Sequence, residues 1–103
     1  MWLVTNAGVG SEIRGQRPAL VIQNDTGNHF AATTIVAAIT TGVKPLPILV
    51  SLAAGTGGLK EESAVNLSQI QTVSRLRLKR RLGILAAEQM RKVDRAIRVS
   101  LSI

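Results

Sequence analysis

The chain has 103 residues, of which 46% are hydrophobic, and this length and composition suit one globular domain over residues 1–103. The absence of cysteine and the presence of one histidine exclude disulfides, thiolate metal sites and a ribonuclease mechanism that needs two histidines. A formal net charge of +7 predicts a polyanionic partner (a nucleic acid, an acidic protein or an acidic membrane surface), with a charge that serves only solubility as the alternative.

Two further features are missing from the sequence. No apolar run reaches the roughly 18 residues that a membrane helix needs, and the start, Met1 to Asn6, has neither a basic segment nor an apolar signal core. A cytoplasmic protein that does not enter a membrane is therefore expected. With one Trp and one Phe, the chain also offers little on which nucleic acid bases would stack.

Apolar runs of strand length fill most of the chain. Trp2 to Thr5 predicts a short strand, and a glycine-containing loop follows over residues 6–16. The runs Leu20–Gln23 and Ile35–Ile39 are almost continuously apolar, which is typical of strands that are covered on both faces. Further strands are predicted at residues 48–52, 64–67 and 69–73.

Two of these runs extend to Arg17–Asp25 and Thr33–Thr41, with turn-forming residues between them. An antiparallel pairing of the two would place the guanidinium of Arg17 beside the hydroxyl of Thr40 at the rim of the sheet. Pro18 holds Arg17 extended, and a fixed arginine fork suits a phosphate. The structural alternatives are a rim ion pair for Arg17 and an ordinary strand residue for Thr40.

The last third of the chain contains a basic segment and a helix. Five of the eight residues in Ser74–Arg81 are basic, which predicts either a solvated turn anchored by Leu76 and Leu78 or a segment that follows phosphates. A helix is predicted over residues 87–101 from one apolar stripe, Ala87, Met90, Val93, Ile97 and Leu101. The fold class is α+β and mainly β, a small twisted barrel-like sheet with a C-terminal helix packed on it.

Short motifs follow one another along nearly the whole chain. In order, they are Gly10-Ser-Glu12, Arg17-Pro18, Leu20-Val-Ile-Gln-Asn-Asp25, Gly27-Asn28, Thr34-Ile-Val-Ala-Ala-Ile-Thr40, Leu67-Ser-Gln-Ile-Gln-Thr72 and Met90-Arg-Lys-Val-Asp-Arg-Ala-Ile97. This series closely resembles the MazF branch of the MazF/PemK toxins, the mRNA interferases. The resemblance implies a CcdB/PemK-like β-barrel with a C-terminal helix.

The resemblance also implies an activity. The implied protein is the toxin of a type II toxin–antitoxin system, a homodimer that a MazE-like antitoxin inhibits. The implied toxin cleaves single-stranded RNA at a short sequence without a metal or other cofactor. Attack of a 2′-OH on the adjacent phosphorus would leave a 2′,3′-cyclic phosphate and a 5′-OH. The catalytic Arg and Thr of the family fall on Arg17 and Thr40. Contacts with base edges are expected from Ser11, Glu12, Gln16, Asn24, Thr41 and Gln69.

Three departures from the family pattern accompany this resemblance. The usual basic opening strand is shortened, the loop after Thr40 is shorter, and Gln71 stands where the Kid/PemK branch has a catalytic arginine, which leaves Arg17 as the principal cation. Two alternatives remain. One is a CcdB-like gyrase poison, although the end of the chain, Val99 to Ile103, lacks the aromatic contacts of such proteins. The other is a catalytically weak relative that binds RNA or antitoxin.

Overall fold

The computed structural model describes residues 1–5, 16–23, 32–41 and 45–103. These residues form six strands, two single 3₁₀ turns (Thr56–Gly58 and Arg75–Arg77) and one long helix. The strands and the helix are β1 (Trp2–Thr5), β2 (Gln16–Val21), β3 (Thr33–Thr41), β4 (Leu49–Leu52), β5 (Ser63–Ser74), β6 (Leu78–Arg81) and α1 (Ala87–Leu101).

The six strands form one antiparallel sheet in the order β4-β5-β3-β2-β1-β6. The predicted pairing of β2 with β3 is confirmed, because Ala19 lies opposite Ala38 and Val21 lies opposite Val36. The mainly β fold with a C-terminal helix is confirmed as well. In the described part of the chain the edge strands β4 and β6 do not pair with each other, so the sheet is open where a barrel was expected.

The main core lies between one face of the sheet and α1. Leu52, Val65 and Leu67 of the sheet and Val93 of the helix are fully buried there. The helix packs against β4 and β5, with Met90 and Ile97 partly buried beside Val93 as its apolar stripe predicted. Two members of the predicted stripe, Ala87 and Leu101, are exposed, because they lie at the two ends of the helix.

A smaller apolar cluster lies on the opposite face of the sheet. Val4, Ala19, Val36 and Val73 are its buried members. Residues two apart in a strand share a face, so this cluster and the main core take alternate residues of β2 and β3. The smaller cluster therefore defines a second face of the sheet, whose buried members come from β1, β2, β3 and β5.

The structure corrects the sequence prediction at two places in the second half of the chain. The strands predicted at 64–67 and 69–73 are parts of the single strand β5, which contains a bulge. The basic segment forms a 3₁₀ turn and then β6, which pairs with β1. Leu78 packs on the smaller cluster as an anchor, but Leu76 is 83% exposed and anchors nothing, because it lies in the turn and not in the strand.

Candidate active site

A groove of about 600 Å³ lies on the face of the sheet that carries the smaller cluster. Its apolar lining includes small side chains of four neighbouring strands, together with Pro18 and two isoleucines. The small ones are Val4, Ala19, Val36, Ala38 and Val73. Alanine and valine leave a hollow where larger aliphatic residues would fill the space. The polar residues of the groove stand around this lining, on β2, β3 and β5.

Arg17 and Thr40 both line the groove. The observed pairing of β2 with β3 ends at Ala19 opposite Ala38, and the same register continued by two residues would bring Arg17 level with Thr40. Both side chains share the groove face with these alanines because they are two residues away along their strands. The Arg17 side chain is exposed and that of Thr40 is half-buried. The two residues that the sequence analysis paired therefore line the same groove, and the approach of the guanidinium to the hydroxyl stays a prediction.

Another part of the groove is formed by the strand pair β3 and β5. Thr41 and Gln69, both expected to contact bases, line this part and are exposed. Ser63, opposite Thr41, also lines the groove but is buried, and its hydroxyl donates to the Glu61 carbonyl at 2.9 Å. Gln71 lines the groove too, opposite Val36, although the sequence interpretation treated it only as a replaced arginine. Its position two residues after Gln69 is the signal that would have identified it.

The other residues predicted to contact bases either do not line the groove or lie outside the described residues. Gln16 is an exposed residue of β2 and does not line the groove. Gln16 alternates with Arg17 along β2, so it belongs to the opposite face of that strand. Ser11, Glu12 and Asn24 lie outside the described residues, and so does the turn predicted between the first two long runs. A contact of these four residues with RNA bases stays a prediction.

The electrostatic character of the groove suits an anion. Among the described residues that line it, Arg17 is the single charged one, and none is acidic. A guanidinium supplies several N–H donors in a fixed planar arrangement and stays protonated in proteins, so it holds a phosphate oxygen well. No group of three or more His, Cys, Asp or Glu side chains arranged to hold a metal ion is found in the described ranges. Metal-independent chemistry stays a prediction.

The sequence profile of one family, described as PemK-like, MazF-like toxin of type II toxin-antitoxin system, matches residues 1–101. The chain belongs to this toxin family. It is 45% identical over 97 residues to Endoribonuclease EndoA of Bacillus subtilis (strain 168), a match that covers 92% of this chain and 84% of EndoA. It is 42% identical over 96 residues to Endoribonuclease MazF of Staphylococcus epidermidis, which covers 91% of this chain and 80% of that protein.

Among solved structures, this MazF-like toxin is similar to an endoribonuclease from a mycobacterial species in complex with its cognate antitoxin. The TM-score is 0.83 at 22% identity, and the match covers 99% of this chain and 91% of the other. These matches confirm the resemblance to MazF and support that interpretation over a CcdB-like gyrase poison. Within the described part of the toxin, no helix is long and apolar enough to cross a membrane.

Proposed function

We propose that this toxin is an endoribonuclease that cleaves single-stranded RNA, chiefly mRNA, at a short sequence bound in the groove. The observation that carries the proposal is that Arg17 and Thr40 line the same open groove on one face of the sheet. Two relatives at 45% and 42% identity, which are named endoribonucleases, support it. The proposal treats residues 1–103 as one toxin domain that acts in the cytoplasm, where its substrate is found.

The proposed reaction is an internal transesterification. The ribose 2′-oxygen attacks the adjacent phosphorus and loses its proton, while the bond from phosphorus to the 5′-oxygen breaks and that oxygen gains a proton. The products are a 2′,3′-cyclic phosphate and a 5′-OH. Negative charge collects on the phosphoryl oxygens in the transition state, so donors already fixed at that position lower the barrier.

Arg17 and Thr40 take different parts in this reaction. Arg17 donates hydrogen bonds to the phosphoryl oxygens, and because arginine does not deprotonate in proteins, its role is electrostatic. The Thr40 hydroxyl donates to a phosphoryl oxygen or orients the 2′-OH for attack. Neither step routes through a metal ion or another cofactor.

Recognition of the RNA sequence is proposed for the polar residues around the reacting phosphate. Thr41 and Gln69 stand in the groove where unstacked bases would lie, and Gln71 joins them as a further candidate. Side chains that hydrogen-bond the edges of unstacked bases are the usual means of reading single-stranded RNA. Ser11, Glu12, Gln16 and Asn24 complete the proposed set of base contacts.

The proposed partners are a second copy of the chain and a MazE-like antitoxin. The mycobacterial relative was solved with its cognate antitoxin, and the net charge of +7 favours an acidic antitoxin segment. Such a segment would lie across the groove and compete with RNA for Arg17. An antitoxin peptide that binds tightly but leaves RNA cleavage at its full rate would contradict this mode of inhibition.

Cleavage of a long single-stranded RNA in EDTA tests the proposal. The wild type is expected to cut at one short sequence and leave cyclic phosphate ends, while Arg17→Ala and Thr40→Ala each lose about 10²- to 10³-fold in rate, as for removal of one transition-state donor. Arg91→Ala on the exposed helix face and Thr33→Ala at the other end of β3 are the matched controls, since neither residue lines the groove.

Two outcomes would contradict the proposal. A folded wild type that cuts no RNA in this assay would be a binding-only relative or would act on another target. Cutting that survives Arg17→Ala would keep the activity but remove the proposed site. Far-ultraviolet circular dichroism and thermal unfolding of each variant separate these outcomes from loss of the fold.

A further inference from the structure

The bulge in β5 lies beside the groove. Ile70 of β5 is opposite Ala37 of β3, but the next pair is Asn66 opposite Ala38, so the register shifts at this point. Leu67, Ser68 and Gln69 therefore have no partner residue in β3. Bulges of this kind change the direction of side chains and leave backbone groups that the sheet does not satisfy.

The residues of the bulge point in different directions. Leu67 is fully buried in the main core under α1. Gln69, two residues later, is exposed and lines the groove. The bulge thus connects the packed core to a polar side chain of the candidate active site.

Two side chains outside the groove lining hold the backbone of the bulge. The Asn66 amide oxygen accepts hydrogen bonds from the Ser68 backbone N–H at 3.0 Å and from the Ser68 hydroxyl at 2.6 Å. The Ser100 hydroxyl, near the end of α1, donates to the Leu67 carbonyl at 2.6 Å. The Leu67 N–H donates to the Ile48 carbonyl at 2.9 Å.

We propose that Asn66 and Ser100 are positioning residues that set the location of Gln69 in the groove and thereby the base preference of the toxin. This inference rests on the proposed RNA cleavage. The Asn66 oxygen closes a local turn around Ser68, just before Gln69, and Ser100 fixes the carbonyl of Leu67 to a rigid helix. Neither side chain lines the groove, so both act through Gln69 and not on the RNA.

The test measures selectivity and not only rate. For the preferred RNA and its single-base variants, kcat/KM is measured with the wild type, Gln69→Ala, Asn66→Ala and Ser100→Ala. We expect Gln69→Ala to reduce discrimination at one base position by about tenfold, the effect of one base-edge contact. Asn66→Ala and Ser100→Ala should reduce discrimination at that same position. Ser100→Thr, which keeps the hydroxyl, should restore it.

A double variant distinguishes positioning from a general structural role. If Asn66 acts through Gln69, Asn66→Ala should add no loss of discrimination when Gln69 is already alanine. Ser74→Ala is the matched control, because the Ser74 hydroxyl accepts from the Leu76 N–H at 3.3 Å in the same kind of local turn, away from the groove. This control should leave the base preference unchanged.

The inference is overturned by a uniform loss of kcat/KM across all RNA sequences in Asn66→Ala and Ser100→Ala. It is also overturned by a loss at a different base position from Gln69→Ala, or by additive losses in the double variant. Binding of the same oligonucleotides is measured in parallel. A folded wild type that neither cleaves RNA nor binds it selectively would overturn the proposed function together with this inference, whereas selective cleavage with unaltered preference in the variants overturns the inference alone.

Discussion

The two faces of the sheet differ in what covers them and in the size of their side chains. One face carries Leu52, Val65 and Leu67, all fully buried against α1. The other carries alanines and valines around an open groove, with Arg17 and Thr40 at its rim. Within β2 and β3 the two faces take alternate residues of the same strand, because neighbouring side chains point to opposite faces.

This difference shows how a small domain supports a core and a site with one sheet. A chain of about 100 residues buries only one sizeable core, and here large aliphatic residues concentrate it on the helix side. The groove side then stabilises the fold less and remains accessible. Substitutions on the packed face should therefore change the free energy of unfolding, and those on the groove face should change RNA cleavage.

The largest effect on stability is expected from matched leucines on the two faces. Leu52 is fully buried in the main core, whereas Leu78 is a partly buried neighbour of the smaller cluster. Leu52→Ala should lower the free energy of unfolding by about 2–5 kcal/mol, the usual cost of an aliphatic cavity, and Leu78→Ala by clearly less. Urea denaturation monitored by circular dichroism measures both. Equal losses would mean that the two faces contribute equally to the fold.

A smaller effect is expected from two adjacent alanines of β3. Ala37 is fully buried in the main core, and its neighbour Ala38 lines the groove. Ala37→Leu should cost about 1–3 kcal/mol through overpacking while the folded fraction still cleaves RNA. Ala38→Leu should change stability by no more than about 0.5 kcal/mol but fill the groove and block cleavage. The two variants therefore compare the two faces of the sheet at adjacent residues of one strand.

The opposite result for these alanines would contradict the comparison. If Ala38→Leu unfolds the chain while Ala37→Leu is tolerated, the groove face carries the packing that maintains the fold. Thermal unfolding of both variants, together with RNA cleavage per folded molecule, gives the answer.

The sequence predicted those elements whose pattern is local. The residues of β1 and of α1 were predicted with the observed bounds, since Trp2–Thr5 is a compact apolar run and residues 87–101 repeat with helical spacing. The pairing of β2 with β3 was also predicted, and Arg17 and Thr40 line one groove. Adjacent runs in the sequence commonly pair, so this part of the site required little knowledge of the whole fold.

The elements that were not predicted depend on pairing between strands that are far apart in the sequence. Three of the four residues of β6 are basic, and the strand is defined by its pairing with β1 and by the contact of Leu78 with the smaller cluster. The bulge in β5 interrupts the alternation of polar and apolar residues at Ser68, and this interruption was interpreted as the end of one strand. Gln71 lies with Gln69 in the strand predicted at 69–73, but it was considered only as a replaced arginine and not as a second glutamine on the groove face.

A charge added to the groove should affect RNA binding more than the same charge elsewhere. Gln71 lines the groove, and Gln71→Arg would add a second cation to the groove that already contains Arg17. One further phosphate contact should steepen the dependence of log K on log salt by about 0.7 for single-stranded RNA. Ser51→Arg, on an exposed position of β4 outside the groove, is the matched control. Equal slopes for the two variants would show that RNA does not bind preferentially in the groove.

The smallest effect is expected where the two regions meet, at the cross-strand pair Thr41 and Ser63. Both residues line the groove, but Ser63 is buried and donates to the Glu61 carbonyl, whereas Thr41 is exposed. Ser63→Ala should lower the free energy of unfolding by about 1 kcal/mol, the net value of one hydrogen bond, with cleavage nearly unchanged. Thr41→Ala should leave stability unchanged and alter the RNA sequence preference.

These opposite responses follow from the internal hydrogen bond of the Ser63 hydroxyl and the exposure of Thr41. The Ser63 hydroxyl already donates its proton within the chain, so it has none to offer a base or a phosphate. Urea denaturation and cleavage of the preferred RNA are measured on both variants. If Ser63→Ala impairs cleavage without loss of stability, the Ser63 hydroxyl turns toward the RNA when substrate binds. Ser63 would then belong to the RNA-binding groove and not to the packed region.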